Sequence, residues 1–210
     1  MAVSNPKSFH WRVTVTISVC KATTRDIPEL SETLAGAFFT DPLFSWWIPE
    51  DHRRKEILPE LFRVISEARL AGDEVYRSAD GVAAAVWTPP GALPTEEETA
   101  ELAPLLAEAT GEYAGTLFEM LGLMDEKHPK EPHFYLFLLG TRPGWQSQGI
   151  GSALLRAVLD GCDETGMPAY LEASSEGNKR LYLRHGFEVT DELHLRDSPT
   201  AWCMWRPPRP

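Results

Sequence analysis

The feature that most constrains this chain is an apolar run from His133 to Thr141 (HFYLFLLGT), followed closely by a glycine-bearing loop and an amphipathic helix. A continuous apolar run of that length suits a strand covered on both faces. The loop is Gln146-Ser147-Gln148-Gly149-Ile150-Gly151-Ser152, and the helix after it puts Ile150, Leu154, Leu155, Val158, Leu159 and Cys162 on one side. Glycines there let the backbone turn tightly and leave amide N–H groups unobstructed. The first amides of a helix have no internal acceptor and sit at its positive end. A pyrophosphate docked there supplies both acceptors and charge, so the loop reads as a phosphate cradle. The same turn can also serve only to close a strand-to-helix connection. A dinucleotide-binding unit fits poorly, because its longer glycine pattern and later ribose-binding acid are missing. The Gly-Lys-Ser/Thr ending of a P-loop is absent.

The rest of the chain supplies a sheet and its covering helices. Val13 to Cys20 alternates with a period of two and predicts a first strand, after a loose tail over 1–12. One domain is expected over 13–206. Thr23-Thr24-Arg25-Asp26 is a capping box, and Ile27, Leu30, Leu34 and Phe38 follow at helical spacing. Phe39 to Pro49 reads as an aromatic loop broken by Pro42 and Pro49, and Asp51 to Leu70 as a second amphipathic helix. Val75–Ser78 and Val82–Trp87 flank Asp80-Gly81 as a hairpin. Thr95 to Met124 is helical in composition and split near Gly111, and Met124 to Pro132 reads as a polar loop. Ala169–Ala173 is a further strand. Ser175 caps a short helix ending near His185, with Gly186 as its left-handed stop. Phe187–Leu195 and Ala201–Trp205 complete the strands. Hairpins come first and a strand-helix-strand-helix-strand unit last, which predicts an α/β (α+β) fold with a mixed six- to seven-stranded sheet flanked by helices.

Charge and cysteine usage narrow the function. A net charge of -11 excludes a nucleic-acid binder, which needs a basic footprint, and mildly attracts cationic substrates. The three cysteines, Cys20, Cys162 and Cys203, are scattered and read as reduced intracellular thiols. With no apolar run of roughly 20 residues, a soluble cytoplasmic protein with no membrane partner is expected. The six histidines show no metal-ligand spacing, so no metal site is expected.

Two ordered motifs now become specific. Gln146-x-x-Gly149-x-Gly151 resembles the Gln/Arg-x-x-Gly-x-Gly/Ala signature of the GNAT acetyltransferases, in the same place between a core strand and the next helix. Asn178-Lys179-Arg180-Leu181-Tyr182-Leu183-Arg184-His185-Gly186-Phe187 is similar to their Asn-x-x-x-Tyr-x-x-x-Gly-Phe segment. From Ala83 onward the chain also resembles puromycin N-acetyltransferase and its bacterial relatives, through Ala84–Thr88, His128–Pro132 and Ala201–Met204. The N-terminal half is similar mainly in pattern. That half shapes the acceptor site in the family, so the resemblance does not name the acceptor.

The resemblance implies direct transfer of an acetyl group from acetyl-CoA to an amine. It places the pantetheine arm beside Leu139, Gly140 and Thr141, the pyrophosphate on the amides from Gln146 through Ser147, Gln148, Gly149, Ile150 and Gly151 to Ser152, and Asn178 against the arm. It makes Tyr182 the general acid that protonates the departing thiolate. Gln148 stands where many relatives carry Lys or Arg, and Ser147 where glycine is common. If that position needs a positive φ, serine is strained by roughly 1 kcal/mol.

The residues themselves suggest the remainder. Glu172 ends a strand and alternates with Leu171, which suits a cleft-facing general base; an ion pair with a Lys or Arg is the alternative. His133 is another base candidate, although a histidine opening a strand is expected to be exposed. Phe44, Trp46, Trp47 and Trp87 can line a pocket for a flat or hydrophobic acceptor, or simply be core. Asp41, Glu50 and Asp51 can receive a cation. The acceptor is expected to be a small-molecule amine, antibiotic- or aminoacyl-nucleoside-like. A protein or peptide amine, or a non-catalytic acyl-CoA sensor, remains open, as do the acyl length and the choice between monomer and homodimer.

Overall fold

The computed structural model describes residues 17–72 and 74–209. Its strands are β1 (Val19–Lys21), β2 (Glu74–Ser78), β3 (Ala83–Thr88), β4 (Phe134–Thr141), β5 (Ala169–Ala173), β6 (Glu188–Leu193) and β7 (Ala201–Arg206). They form one seven-stranded sheet in the order β1-β2-β3-β4-β5-β7-β6. The sheet is mixed: β4 and β5 run parallel and the other neighbours antiparallel. The helices are α1 (Ile27–Phe38), α2 (Pro42–Trp47), α3 (Asp51–Arg69), α4 (Glu96–Thr110), α5 (Ala114–Lys127), α6 (Ile150–Thr165) and α7 (Glu176–Arg184).

The apolar run at β4 has the predicted cause. Leu138 packs with α1 and α3 around Leu34, Phe38 and Phe62, while Leu136 packs with α6 around Leu154, Leu155 and Val158. A strand with helices on both faces needs apolar residues at successive positions. Gly140 sets how close α1 approaches β4: a Cβ there would lie 2.8 Å from the Ala37 Cβ and 3.1 Å from Leu34. Asp26 closes the start of α1 by accepting the Thr23 N–H at 2.7 Å.

Three expectations change. Residues 39–49 are not all loop, because α2 forms within them. Asp41 caps it, accepting from the Leu43 and Phe44 amides at 3.0 and 3.5 Å, and Pro42 occupies the first turn, where no N–H is needed. Helix α5 runs to Lys127, into the stretch read as a polar loop, where Lys127 pairs with Asp191. The first strand begins at Val19 among the described residues; positions 13–16 and the expected tail over 1–12 lie outside them.

One register positions the site. β4 pairs with β5 at Phe134↔Ala169, Tyr135↔Tyr170 and Leu136↔Leu171. Beyond that, β4 continues to Thr141 along β3, and β5 continues to Ala173 along β7. The two central strands therefore part, and the β4 edge from Phe137 to Thr141 has no strand partner on the β5 side.

Candidate active site

The opening between β4 and β5 meets the start of α6. Loop residues 143–149 are exposed, and among the described residues none of the amides from Gln146 to Ser152 donates a hydrogen bond. Gly149 precedes the helix at φ 84°, and Ser147 takes φ 62°, the left-handed value that favours glycine. Gln146 and Gln148 bind the loop from within, donating Nε2–H to the Thr141 and Gly144 carbonyls, each at 3.1 Å. The neutral Gln148 thus spends its side chain on the loop. A Cβ on Gly151 would lie 3.6 Å from Leu181, 3.9 Å from Leu139 and 4.0 Å from the Thr141 hydroxyl, so the helix start, the β4 end and α7 converge. The Ser152 hydroxyl lies 3.0 Å from Nε2 of His185, which fastens α6 to the end of α7. Unpaired amides at a helix N-terminus beside a free strand edge fit the phosphates and amide-bearing arm of coenzyme A.

Past the opening lies a cavity of about 780 Å³, reached by Glu172, Ser174, Asn178 and Tyr182 from the β5–α7 side. Glu172 accepts the Tyr135 hydroxyl on Oε2 at 2.8 Å, while its Oε1 is shut from solvent without a partner among the described residues. Burial pushes the Glu172 carboxyl up to about 7, and the Tyr135 hydroxyl limits the rise by favouring the ionised form. No ion pair among the described residues involves it, so the salt-bridge alternative is not what the fold builds. Tyr182 is 5% exposed, edge-on to Phe187, and its phenol is raised well above the ordinary range by burial and then by the Asp41 charge. At rest it therefore carries its proton at neutral pH.

A polar chain that sequence reasoning missed joins three elements here. Asn178 Nδ2 donates to Ser174 Oγ at 3.3 Å, and Ser174 donates to Asp41 Oδ2 at 2.6 Å. Desolvation raises the Asp41 carboxyl despite these bonds. The period of two along β5 puts Ser174 beside Glu172 and offered a signal; Tyr135, inside an apolar run, offered none. His128 also reaches the cavity, and His133 lies beneath it with Nε2 3.1 Å from that of His128. His133 is 6% exposed under Tyr170 and Trp205, contrary to expectation, because the strand end it opens is covered by β7. Burial lowers both imidazoles, that of His128 to about 4, so they are neutral.

The aromatic set divides. Phe44 and Trp47 line the cavity, Trp46 does not and donates to Asp197 at 3.2 Å, and Trp47 donates to the Tyr113 carbonyl at 3.0 Å. Trp87 is fully buried on the α6 face of the sheet, opposite the others, and lines no acceptor pocket. Of the acids near that loop, Asp41 points inward as described. Glu50 accepts the Tyr113 hydroxyl at 2.8 Å, and Asp51 pairs with Arg54, so both are committed to structure.

Residues 72–187 match the Acetyltransferase (GNAT) family, more than half of the chain. An uncharacterised N-acetyltransferase of Schizosaccharomyces pombe is 25% identical over 183 residues, which cover 81% of this chain and 74% of that protein. A Corynebacterium glutamicum structure, described as histone acetyltransferase HPA2 and related acetyltransferase, is 27% identical with a TM-score of 0.69, covering 93% of this chain and 98% of its own. A polyamine N-acetyltransferase of Drosophila melanogaster that forms N-acetylagmatine shares the fold at 18% identity and a TM-score of 0.61, over 91% and 100% of the two chains. The chain belongs to the GNAT acetyltransferase family. It is an acyltransferase, and acetyl-CoA is its co-substrate. No helix among the described residues is long and apolar enough to cross a membrane.

Proposed function

We propose that this enzyme moves the acetyl group of acetyl-CoA to the primary amine of a small molecule, within one catalytic domain spanning 13–206. The observation that carries the reading is the convergence of a free β4 edge, Glu172 and Tyr182 on one cavity walled by several helices. Such a chamber favours a small acceptor over an extended peptide, which needs an open groove with backbone partners. The likeness to puromycin N-acetyltransferase and its relatives, and the amine acceptor named for the fly enzyme, support the same class. Three free, widely spaced cysteines support a cytoplasmic setting.

Acetyl-CoA supplies an activated thioester carbonyl. Leu139, Gly140 and Thr141 would hold its arm along the free edge, Asn178 would contact it, and the amides from Gln146 to Ser152 would receive the pyrophosphate. Glu172 takes the proton of the acceptor ammonium, and with a carboxyl near 7 it is poised for that task at neutral pH. As the N–C bond forms and the C–S bond breaks, Tyr182 gives its phenolic proton to the sulfur. The phenol is then restored by the proton the amine loses.

The test is thiol release from acetyl-CoA with a panel of primary amines. Tyr182→Phe is expected to lower kcat by about 10²-fold or more, with the acetyl-CoA-induced rise in Tm retained. In the wild type, kcat/KM gains an extra tenfold per pH unit below about 7 from ionisation of Glu172, and Glu172→Gln removes that added steepness. An unchanged kcat in Tyr182→Phe, or an identical low-pH limb in Glu172→Gln, rejects the assigned roles.

A further inference from the structure

We infer that the acceptor is a single-charged amine with a bulky apolar body, not a polyamine; this rests on the acetyl-transfer reading above and specifies its substrate class. The cavity is chemically two-ended. Of its polar groups, Glu172, Ser174, Asn178 and Tyr182 come from the β5–α7 side, with Tyr135 beside Glu172 and His128 packed against Tyr135. The remaining wall, from α1 through α5 and β4, is built of side chains such as Phe44, Phe62, Leu102, Leu117, Leu121 and Phe137. The apolar lining continues to the surface at Leu93 and Phe118, which are 46% and 37% exposed. At about 780 Å³ the chamber holds a body far larger than a short amine beside an acetyl group.

Charge decides which body. Glu172 is the half-buried acid of the lining, while Glu96 and Asp125 are exposed at its rim. One ammonium therefore finds a partner inside, next to the proton acceptor that must activate it. A second ammonium, several bonds away, would lie along the apolar wall, where an unpaired charge is heavily penalised.

The experiment measures kcat/KM by thiol release for butylamine, hexylamine, octylamine and 2-phenylethylamine against putrescine and agmatine, all with acetyl-CoA. A last arm compares hexanoyl-CoA with acetyl-CoA on propylamine. Each methylene that becomes buried is expected to raise kcat/KM about fourfold, so octylamine should exceed butylamine on the order of a hundredfold. Agmatine or putrescine equal to octylamine, a flat alkyl series, or hexanoyl-CoA outrunning acetyl-CoA on propylamine overturns the inference while leaving amine acetylation intact. No thiol release with any amine, with acetyl-CoA still raising Tm, overturns both. Leu121→Glu, on the partly buried α5 wall, should lower the octylamine-to-agmatine ratio at least tenfold. If that variant fails to show the acetyl-CoA Tm rise, Leu121→Gln replaces it and the ratio should fall in the same direction. A ratio unchanged in a folded variant also overturns the inference.

Discussion

Because Glu172 is desolvated in the cavity wall, with one oxygen shut from solvent and unpartnered among the described residues, its carboxyl keeps a proton up to about pH 7, against an ordinary 4.5. Between those values the folded chain holds a proton that the unfolded chain has lost, so stability falls as pH rises through that window. Above about pH 7 the full cost stands, on the order of 3 kcal/mol. Glu172→Gln should therefore be more stable than the wild type at pH 8, with the gain shrinking toward pH 4.5, and it should be the poorer catalyst. Thermal unfolding of both proteins across that range tests this, and a pH-independent difference in Tm contradicts it. At this scale the sequence was informative where alternation or motif spacing applied. Glu172 could be placed on a cleft-facing side because a strand alternates, and Tyr182 because a motif fixed its place. Trp87 could not be assigned, since nothing in its neighbours says which face of the sheet it takes, and it took the α6 face.

The proposed phosphate cradle is an element-scale device, and its strain is unevenly distributed. Ser147 and Gly149 both adopt positive φ, at 62° and 84°. Only the second is a residue that tolerates it freely. Gly149→Ala meets no close neighbour, since Ile17 lies 3.7 Å from the added Cβ, so its cost is the backbone alone, roughly 1–2 kcal/mol. Ser147→Gly relieves a similar strain but frees the unfolded chain, leaving a gain of a few tenths of a kcal/mol. Tm measurements should show a drop of several degrees for Gly149→Ala and a level or slightly raised value for Ser147→Gly; the reverse order would rule out the φ argument. The loop and the helix start behind it were readable because glycine, helix start and strand end are local signals. Helix α2 was not: six residues give too little periodicity, and Asp41-Pro42 resembles a turn as much as a cap. The cap matters beyond α2, because the same Asp41 carboxylate receives Ser174 and so joins the acceptor wall to β5.

Across the whole molecule, the sheet is joined at its centre by three register pairs between β4 and β5, after which the halves β1–β4 and β5–β7 diverge. That divergence lay beyond sequence reasoning, because both strands were visible but their register was not. The cavity was equally hidden, since α4 and α5 carry leucines that any amphipathic helix would carry. The architecture makes a ligand that bridges the gap a structural member. Coenzyme A seated along 137–141, on the α6 start and against Asn178 of α7 would touch both halves, so its binding energy should appear as global stability. At about a hundred times its dissociation constant a ligand adds roughly 2.7 kcal/mol, a rise of about 5–10 °C for a chain of this length. ATP offers phosphates to the cradle but no arm for the β4 edge, so its effect should be much smaller, and amide exchange at 137–141 should slow only with acetyl-CoA. Equal protection by the two ligands would mean that the cradle alone holds the cofactor and that the opening between β4 and β5 serves the acceptor instead.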